Sequence, residues 1–125
     1  MLGDRDATAT VAVNDLQAAK NFYEGKLGLK RTGPEDPESL LYTTGKTQLF
    51  VYRSEYAGTN QATGVTWGVG PRLDELVRDL GAKGVTFERY DLPGTTRQGD
   101  VHVTGEMKVA WFKDPDGNIH SLVNQ

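Results

Sequence analysis

The sequence has no cysteine among its 125 residues. Disulfides, thiolate nucleophiles and thiolate zinc sites are therefore excluded. No stretch approaches the ~20 consecutive apolar residues that a membrane-spanning helix needs. The N-terminal "MLGDRDATAT" also lacks the basic start and apolar run of a signal peptide. These absences predict a cytoplasmic protein with no membrane partner.

Charge of one sign is not concentrated anywhere in the chain. The 14 basic and 17 acidic residues give a net charge of −3, and neither sign forms a long block. Electrostatics thus gives no reason to expect nucleic acid or an anionic membrane as a partner. We expect the partners to be a small-molecule ligand and a second copy of the chain.

Glycine is abundant, and a pattern of strand, helix and strands occurs twice. Fifteen residues are glycine, well above the usual ~7%, and they are spread along the chain, which is typical of many tight turns. In the first copy, "ATATVAVN" (residues 7–14) alternates as a strand does, and Asp15 suits the N-cap of a helix that ends at Gly28. Residues 39–54 then read as two strands around a Thr-Gly-Lys turn.

The second copy keeps this order. Its predicted elements are a strand at 64–70, an amphipathic helix at 72–84, a strand at 85–90 and a hairpin formed by 107–112 and 118–124 around "DPDGN". A long polar loop is predicted at 91–106, and residues 53–64 are predicted to form either an ordered crossover near a pocket mouth or a plain solvated linker.

The two copies are kept in register across a strand and a helix. The strand ends Asn14 and Gly70, and the helix ends Gly28 and Gly84, are each 56 positions apart. Such agreement predicts an α+β fold of two tandem βαβββ modules. We expect a single domain over residues 1–125, with modules at about 5–53 and 64–125.

Two motifs resemble those of a known superfamily. The opening "VAVNDLQAAKNFYEGKLGL" and the closing "AWFKDPDGN" are similar to the opening and closing motifs of the vicinal oxygen chelate superfamily, which includes glyoxalase I, bleomycin-resistance proteins and extradiol dioxygenases. The resemblance covers nearly the whole chain. It implies that each module curls into a half-barrel whose concave face lines a cavity, and that the chain forms a homodimer.

Many members of that superfamily hold a divalent metal with histidine and carboxylate ligands. The resemblance places the ligand positions at Thr8, Gly64 and Ser121, with the fourth near Gln48 or Leu49. None of these supplies an imidazole or a carboxylate, so we predict no metal and no cofactor.

His120 stands next to one of these positions. Alternation along a strand points it to the face opposite Ser121. We therefore expect His120 to be a half-buried sheet residue rather than a displaced ligand.

Alternation also predicts what lines the cavity. The inner faces of the two first strands carry small, weakly polar residues, and Phe50, Tyr52 and Trp111 offer aromatic walls. The predicted ligand-binding residues are Thr8, Thr10, Phe50, Tyr52, Gly64, Thr66, Trp111 and Ser121.

Three functional hypotheses fit this pattern. The first is a metal-free binding protein that sequesters an aromatic or polycyclic compound such as an antibiotic. The second is a metal-independent lyase or isomerase, for which His102, in the predicted loop, is the one weak acid–base candidate. The third, a metal enzyme with displaced ligands, is disfavoured by the missing ligands. The absence of an acid–base pair favours the first.

Overall fold

The structure, a computed structural model, describes residues 1–125 and contains two compact units, Met1–Ala57 and Gly58–Gln125. Each unit combines a mixed β-sheet with helical segments. The predicted α+β fold of two modules is confirmed. None of the helices has the length and apolarity that crossing a membrane requires.

The first unit contains a four-stranded sheet. Its elements are β1 (Ala9–Val13), α1 (Leu16–Lys20), a π-helical segment (Asn21–Lys26), β2 (Lys30–Thr32), β3 (Ser39–Thr44) and β4 (Thr47–Arg53). The strand order is β1-β4-β3-β2, with β1 parallel to β4 and the other pairs antiparallel. Asp15 caps α1 as predicted, because its carboxylate accepts the backbone N–H groups of Gln17 and Ala18 at 2.9 and 3.2 Å.

The second unit contains a larger sheet. Its elements are β5 (Thr63–Gly68), a 3-10 turn (Gly70–Arg72), α2 (Leu73–Ala82), β6 (Phe87–Glu88), β7 (Thr96–Gln98), β8 (Val101–Thr104), β9 (Met107–Lys113) and β10 (Ile119–Val123). The strand order is β5-β10-β9-β8-β7, with β5 parallel to β10, and β6 also pairs with β9.

The stretch predicted as a long polar loop is a hairpin. Strands β7 and β8 pair with each other, and β8 also pairs with β9. The prediction of a loop over 91–106 was wrong, since "VHVT" has the β-branched residues of a strand and finds a partner in β9. This hairpin adds two strands to the second sheet.

One face of each sheet is buried. In the first unit Val11 and Val13 are buried, as alternation predicts, while Thr10, which precedes Val11, is exposed. Tyr42 lies on the buried side and donates its hydroxyl hydrogen to the Glu24 carboxylate at 2.9 Å. Burial is the main factor that raises the pKa of Tyr42. The opposite faces of the two sheets carry the candidate binding residues, most of them at least partly exposed and Ser121 buried.

Candidate functional site

The face of the second sheet opposite His120 brings together the aromatic and hydroxyl side chains of three strands, and Ser121 on this face is itself buried. Ser121 on β10 lies opposite Trp111 on β9 and opposite Thr66 on β5. The hydroxyl oxygens of Thr66 and Ser121 are 2.8 Å apart, and the Trp111 indole N–H donates to the Thr63 hydroxyl at 3.1 Å. We call this surface, defined by Thr63, Thr66, Trp111 and Ser121, the Trp111 face.

A β-bulge in β5 changes which residues reach this face. Ile119 pairs with Thr63 while the next residue, His120, pairs with Val65, so Gly64 is an extra residue. Strict alternation had placed Gly64 on the face of Thr66, and this placement was wrong. A Cβ at Gly64 would lie 3.8 Å from the His120 ring, at an ordinary contact distance. Thr63, which alternation had missed, takes its place.

Three aromatic rings lie against one another at this face. His102 and Trp111 have ring centroids 4.8 Å apart at an interplanar angle of 81°, and Tyr90 lies 5.3 Å from Trp111 and 5.9 Å from His102. We call Tyr90, His102 and Trp111 the aromatic triad. His102 is only 2% exposed and lies on β8. The prediction that it sits on a polar loop was therefore wrong.

The hydrogen bond of His102 assigns its tautomer. Its Nε2 accepts the backbone N–H of Tyr90 at 2.9 Å, so this nitrogen carries no proton and the neutral ring holds its proton on Nδ1. Nδ1 is buried and has no hydrogen-bond partner. In this arrangement the imidazole offers a donor and has no free basic nitrogen.

A cavity of about 470 Å³ lies in the second unit beside Tyr90. This volume is within the range of small-molecule sites. Lys113 and Ile119 are each two residues from Trp111 and Ser121 along their strands, so they share the Trp111 face. The cavity is lined by Gly58, Asn60, Gln61, Glu88, Tyr90, Lys113, Gly117 and Ile119. The predicted crossover thus contributes three of the lining residues.

The charges at this cavity are paired. Lys113 Nζ lies 2.9 Å from Glu88 Oε1, and this hydrogen bond raises the pKa of Lys113. Burial, followed by the charge of Glu88, raises the pKa of Tyr90, so its phenol stays neutral at pH 7. The sequence alone showed no partner for Glu88, because its partner, Lys113, lies on another strand and comes close only when the strands pair. Glu88 and Tyr90 are two residues apart in "FERY", so alternation along a strand could have predicted that they share a face.

The other predicted binding residues lie in the first unit. Thr10 pairs with Phe50, and the rings of Phe50 and Tyr52 are stacked with centroids 6.0 Å apart and planes at 12°. Tyr52 is 37% exposed. Thr8 and Gln48 line a polar cavity of about 450 Å³. Four predicted residues thus lie in each unit, and their common role in binding stays a prediction.

The residues at the superfamily's metal positions do not fit a metal. No group of three or more His, Cys, Asp or Glu side chains lies together in the structure. Thr8 and Ser121 offer hydroxyls, and that of Ser121 is hydrogen-bonded to Thr66. His120 is fully buried on the opposite face, between Trp67 and Phe112, rather than half-buried as predicted.

Comparison with known proteins identifies the family. The model of the Glyoxalase/Bleomycin resistance protein/Dioxygenase superfamily matches residues 7–120, so the chain belongs to this superfamily. No curated protein matches the sequence.

Solved structures share the fold at low sequence identity. The fosfomycin resistance protein FosX from Listeria monocytogenes is 15% identical, with a TM-score of 0.69 over 100% of this chain and 93% of that chain. The lactoylglutathione lyase of Agrobacterium tumefaciens is 15% identical, with a TM-score of 0.70 over 98% and 95%. TnmS3, an antibiotic binding protein from Streptomyces sp. CB03234, is 19% identical, with a TM-score of 0.66 over 98% and 96%.

Proposed function

We propose that this chain binds and sequesters a small aromatic or polycyclic molecule, such as an antibiotic, without a metal. The observation that carries the proposal is the aromatic triad, whose member Tyr90 lines a cavity of about 470 Å³ and packs on Trp111 and His102. Aromatic stacking contributes about 0.5–1.5 kcal/mol per pair beyond area burial. TnmS3 is described as an antibiotic binding protein, and FosX as a fosfomycin resistance protein; both descriptions support a role of this kind.

The alternative is a metal-independent lyase or isomerase. Its one acid–base candidate is His102, whose Nε2 already accepts the Tyr90 N–H. A general base needs a free basic nitrogen within reach of the substrate proton, and this arrangement offers none. The hydrogen bonding of His102 therefore favours binding over catalysis.

The two tryptophans of the chain make the proposal testable by fluorescence. Trp111 belongs to the triad, whereas Trp67 packs on Phe112 and His120 at ring distances of 6.2 and 5.8 Å. Titration with a panel of polycyclic aromatic antibiotics should quench the tryptophan fluorescence of the parent protein. We expect Trp111→Phe to lose most of this quenching and the matched control Trp67→Phe to retain it.

Affinity gives a second measurement with the same panel. Trp111→Ala should weaken binding several-fold, because it removes a stacking partner. Equal quenching and equal affinity in the Trp111 variants would refute binding at this face. Recovery of the ligand in chemically altered form at many turnovers per chain would favour the enzyme instead.

A further inference from the structure

We propose that the first unit contains a second binding site, for a neutral aromatic ligand that carries a sugar or a similar polyhydroxylated group. The sugar lies in the polar cavity beside Thr8 and Gln48, and the aromatic ring packs on Phe50 and Tyr52. Because all of these residues belong to the first unit, the inference goes beyond the function proposed for the Trp111 face and does not depend on it.

The polar cavity is the first step. It lies between the residues that precede β1 and the turn that joins β3 to β4. Its volume of about 450 Å³ is within the range of small-molecule sites. The residues that line it are exposed, so a ligand can reach them directly.

The hydrogen-bonding groups of the cavity are the second step. The Thr47 hydroxyl donates to the Thr44 carbonyl oxygen at 3.1 Å, whereas the side chains of Thr8, Thr43 and Gln48 have no hydrogen-bond partner within the chain. A hydroxyl and an amide can each donate and accept, as the hydroxyls of a sugar do. These three side chains therefore suit a ligand that carries several hydroxyls.

The charges of the cavity are the third step. Its charged lining residues are Lys46 and Asp6, and their charges cancel. An ionised acid or amine would meet one attractive and one repulsive charge, so neither gains a net advantage. A sugar can instead accept a hydrogen bond from the ammonium group and donate one to the carboxylate. The charge balance therefore favours a polyol over an ionised group.

The neighbouring aromatic pair is the fourth step. Gln48, Phe50 and Tyr52 alternate onto one face of β4, so the pair begins one same-face position, roughly 7 Å, away from the cavity. The two rings are stacked at 12°, and Tyr52 is 37% exposed, which leaves aromatic surface for a flat ligand. An aromatic ring with a sugar joined directly to it reaches both parts of the site.

A matched set of probes tests the inference. The β-glucoside, β-galactoside and β-xyloside of 4-methylumbelliferone share one coumarin ring with 7-methoxy-4-methylcoumarin, in which a methyl group replaces the sugar. Isothermal titration should show that at least one glycoside binds about tenfold more tightly than the methoxycoumarin, as expected for the hydrogen bonds that its sugar adds. The methyl glycoside of the same sugar, which lacks the aromatic ring, should bind more weakly than the aryl glycoside. Equal affinity of the methoxycoumarin and all three aryl glycosides would overturn the inference.

Substitutions separate the cavity from the aromatic pair. Gln48→Leu keeps the size of the side chain but removes its amide, so the preference for the glycoside should fall several-fold. Gln17→Leu makes the same exchange at an exposed position of α1 and should leave the preference unchanged. Tyr52→Leu should weaken the glycoside and the methoxycoumarin alike, so their ratio should stay the same. A full preference retained by both Gln48→Leu and Thr43→Val would contradict the inference.

Nuclear magnetic resonance on the unmodified protein gives a readout that does not depend on any variant folding. In a ¹H–¹⁵N correlation spectrum, the glycoside should shift the side-chain amide signals of Gln48 and the backbone signals of Thr8 and Thr43. The methoxycoumarin should act mainly on the signals of Phe50 and Tyr52. Glycoside shifts confined to the second unit would place the sugar elsewhere and refute the site.

The remaining outcomes separate this site from a different occupant and from the proposed function. If Tyr52→Leu dissociates a dimer and no glycoside binds, a second copy of the chain covers this face and the inference is wrong. Glycoside binding that persists in Trp111→Ala would support the inference, whether or not the antibiotic panel binds at the Trp111 face. Antibiotic binding without any preference for a glycoside would refute the inference and leave the proposed function standing.

Discussion

At the scale of single residues, the two histidines occupy opposite faces of one sheet. His120 is fully buried among Trp67 and Phe112, on the side away from the Trp111 face. His102 is buried against Tyr90 and Trp111 and accepts a backbone hydrogen bond. Alternation was enough to predict the face of His120, but the burial of His102 depends on Tyr90 folding over it, which no local pattern indicates.

The burial of His120 makes the stability of the second unit sensitive to acid. Burial lowers the pKa of His120, an effect that the charge of Asp114 partly opposes. The unfolded chain, with a histidine pKa of about 6.5, therefore takes up the proton first. The stability of the fold with neutral, buried His120 is fully present above pH 6.5. It is lost as the pH falls from there toward the lower pKa of His120 in the folded state.

Urea unfolding between pH 8 and pH 5 measures this dependence. We expect the midpoint to fall on acidification in the parent protein, and to fall less in His120→Leu, which has nothing to titrate at this position. His102→Gln serves as the matched control, and its urea midpoint should fall on acidification as much as that of the parent, because His120 is unchanged. An identical slope in the parent and His120→Leu would contradict the prediction.

At the scale of elements, the sequence predicted the features that arise from neighbouring residues. Local propensity and turn chemistry were enough to predict the cap at Asp15, the strands at the two ends of the chain and the hairpin around "DPDGN". The β7–β8 hairpin was missed because its strands are only three and four residues long. The bulge at Gly64 was missed because it exists only in the pairing of β5 with β10.

Two glycines should respond in opposite ways to alanine. Gly81 lies within α2, and a Cβ there would have open space around it, so Gly81→Ala should raise stability by about 0.5–1 kcal/mol. Gly58 has a φ of +71°, and a Cβ there would clash with the Asp116 carbonyl oxygen. Gly58→Ala should therefore lower stability by at least about 1–3 kcal/mol.

Thermal unfolding of the two variants and of Gly3→Ala, at an open position, tests this pair. The order of melting temperatures should be Gly81→Ala, then Gly3→Ala together with the parent, then Gly58→Ala. Because Gly58 lines the cavity, the last variant should also bind ligand more weakly. A Gly58→Ala melting temperature equal to that of the parent would contradict the clash.

At the scale of the whole molecule, the repeat was the strongest signal in the sequence. The common offset of 56 residues predicted two modules, and the superfamily match over residues 7–120 agrees with it. The cavity was harder to predict from the sequence, because its lining combines the crossover with strands that are distant in sequence. The boundaries at about 5–53 and 64–125, and a single domain over the whole chain, stay predictions.

We predict a homodimer in solution. The first sheet ends in strands β1 and β2, and the second in β5 and β7. Edge strands leave backbone groups available for pairing with another chain. Sedimentation equilibrium at micromolar concentration should give the mass of two chains. The mass of one chain, maintained up to the highest concentration, would contradict this prediction.

We also predict that the purified protein carries no stoichiometric metal. The superfamily's ligand positions are occupied by Thr8 and Ser121, which offer only hydroxyls, and by Gly64, which has no side chain. Elemental analysis should find far less than one transition metal ion per chain after dialysis. A retained metal at one per chain would refute the prediction.

The extra residue in β5 also shifts the offset between the two halves by one position. Thr10 and Thr66 are 56 positions apart, and so are Ala12 and Gly68, whereas Thr63, which lies on the Trp111 face, is only 55 positions from Thr8. The bulge at Gly64 accounts for this difference. A chimera that exchanges the first strands of the two halves must therefore gain or lose one residue to keep every side chain of the strand on its original face.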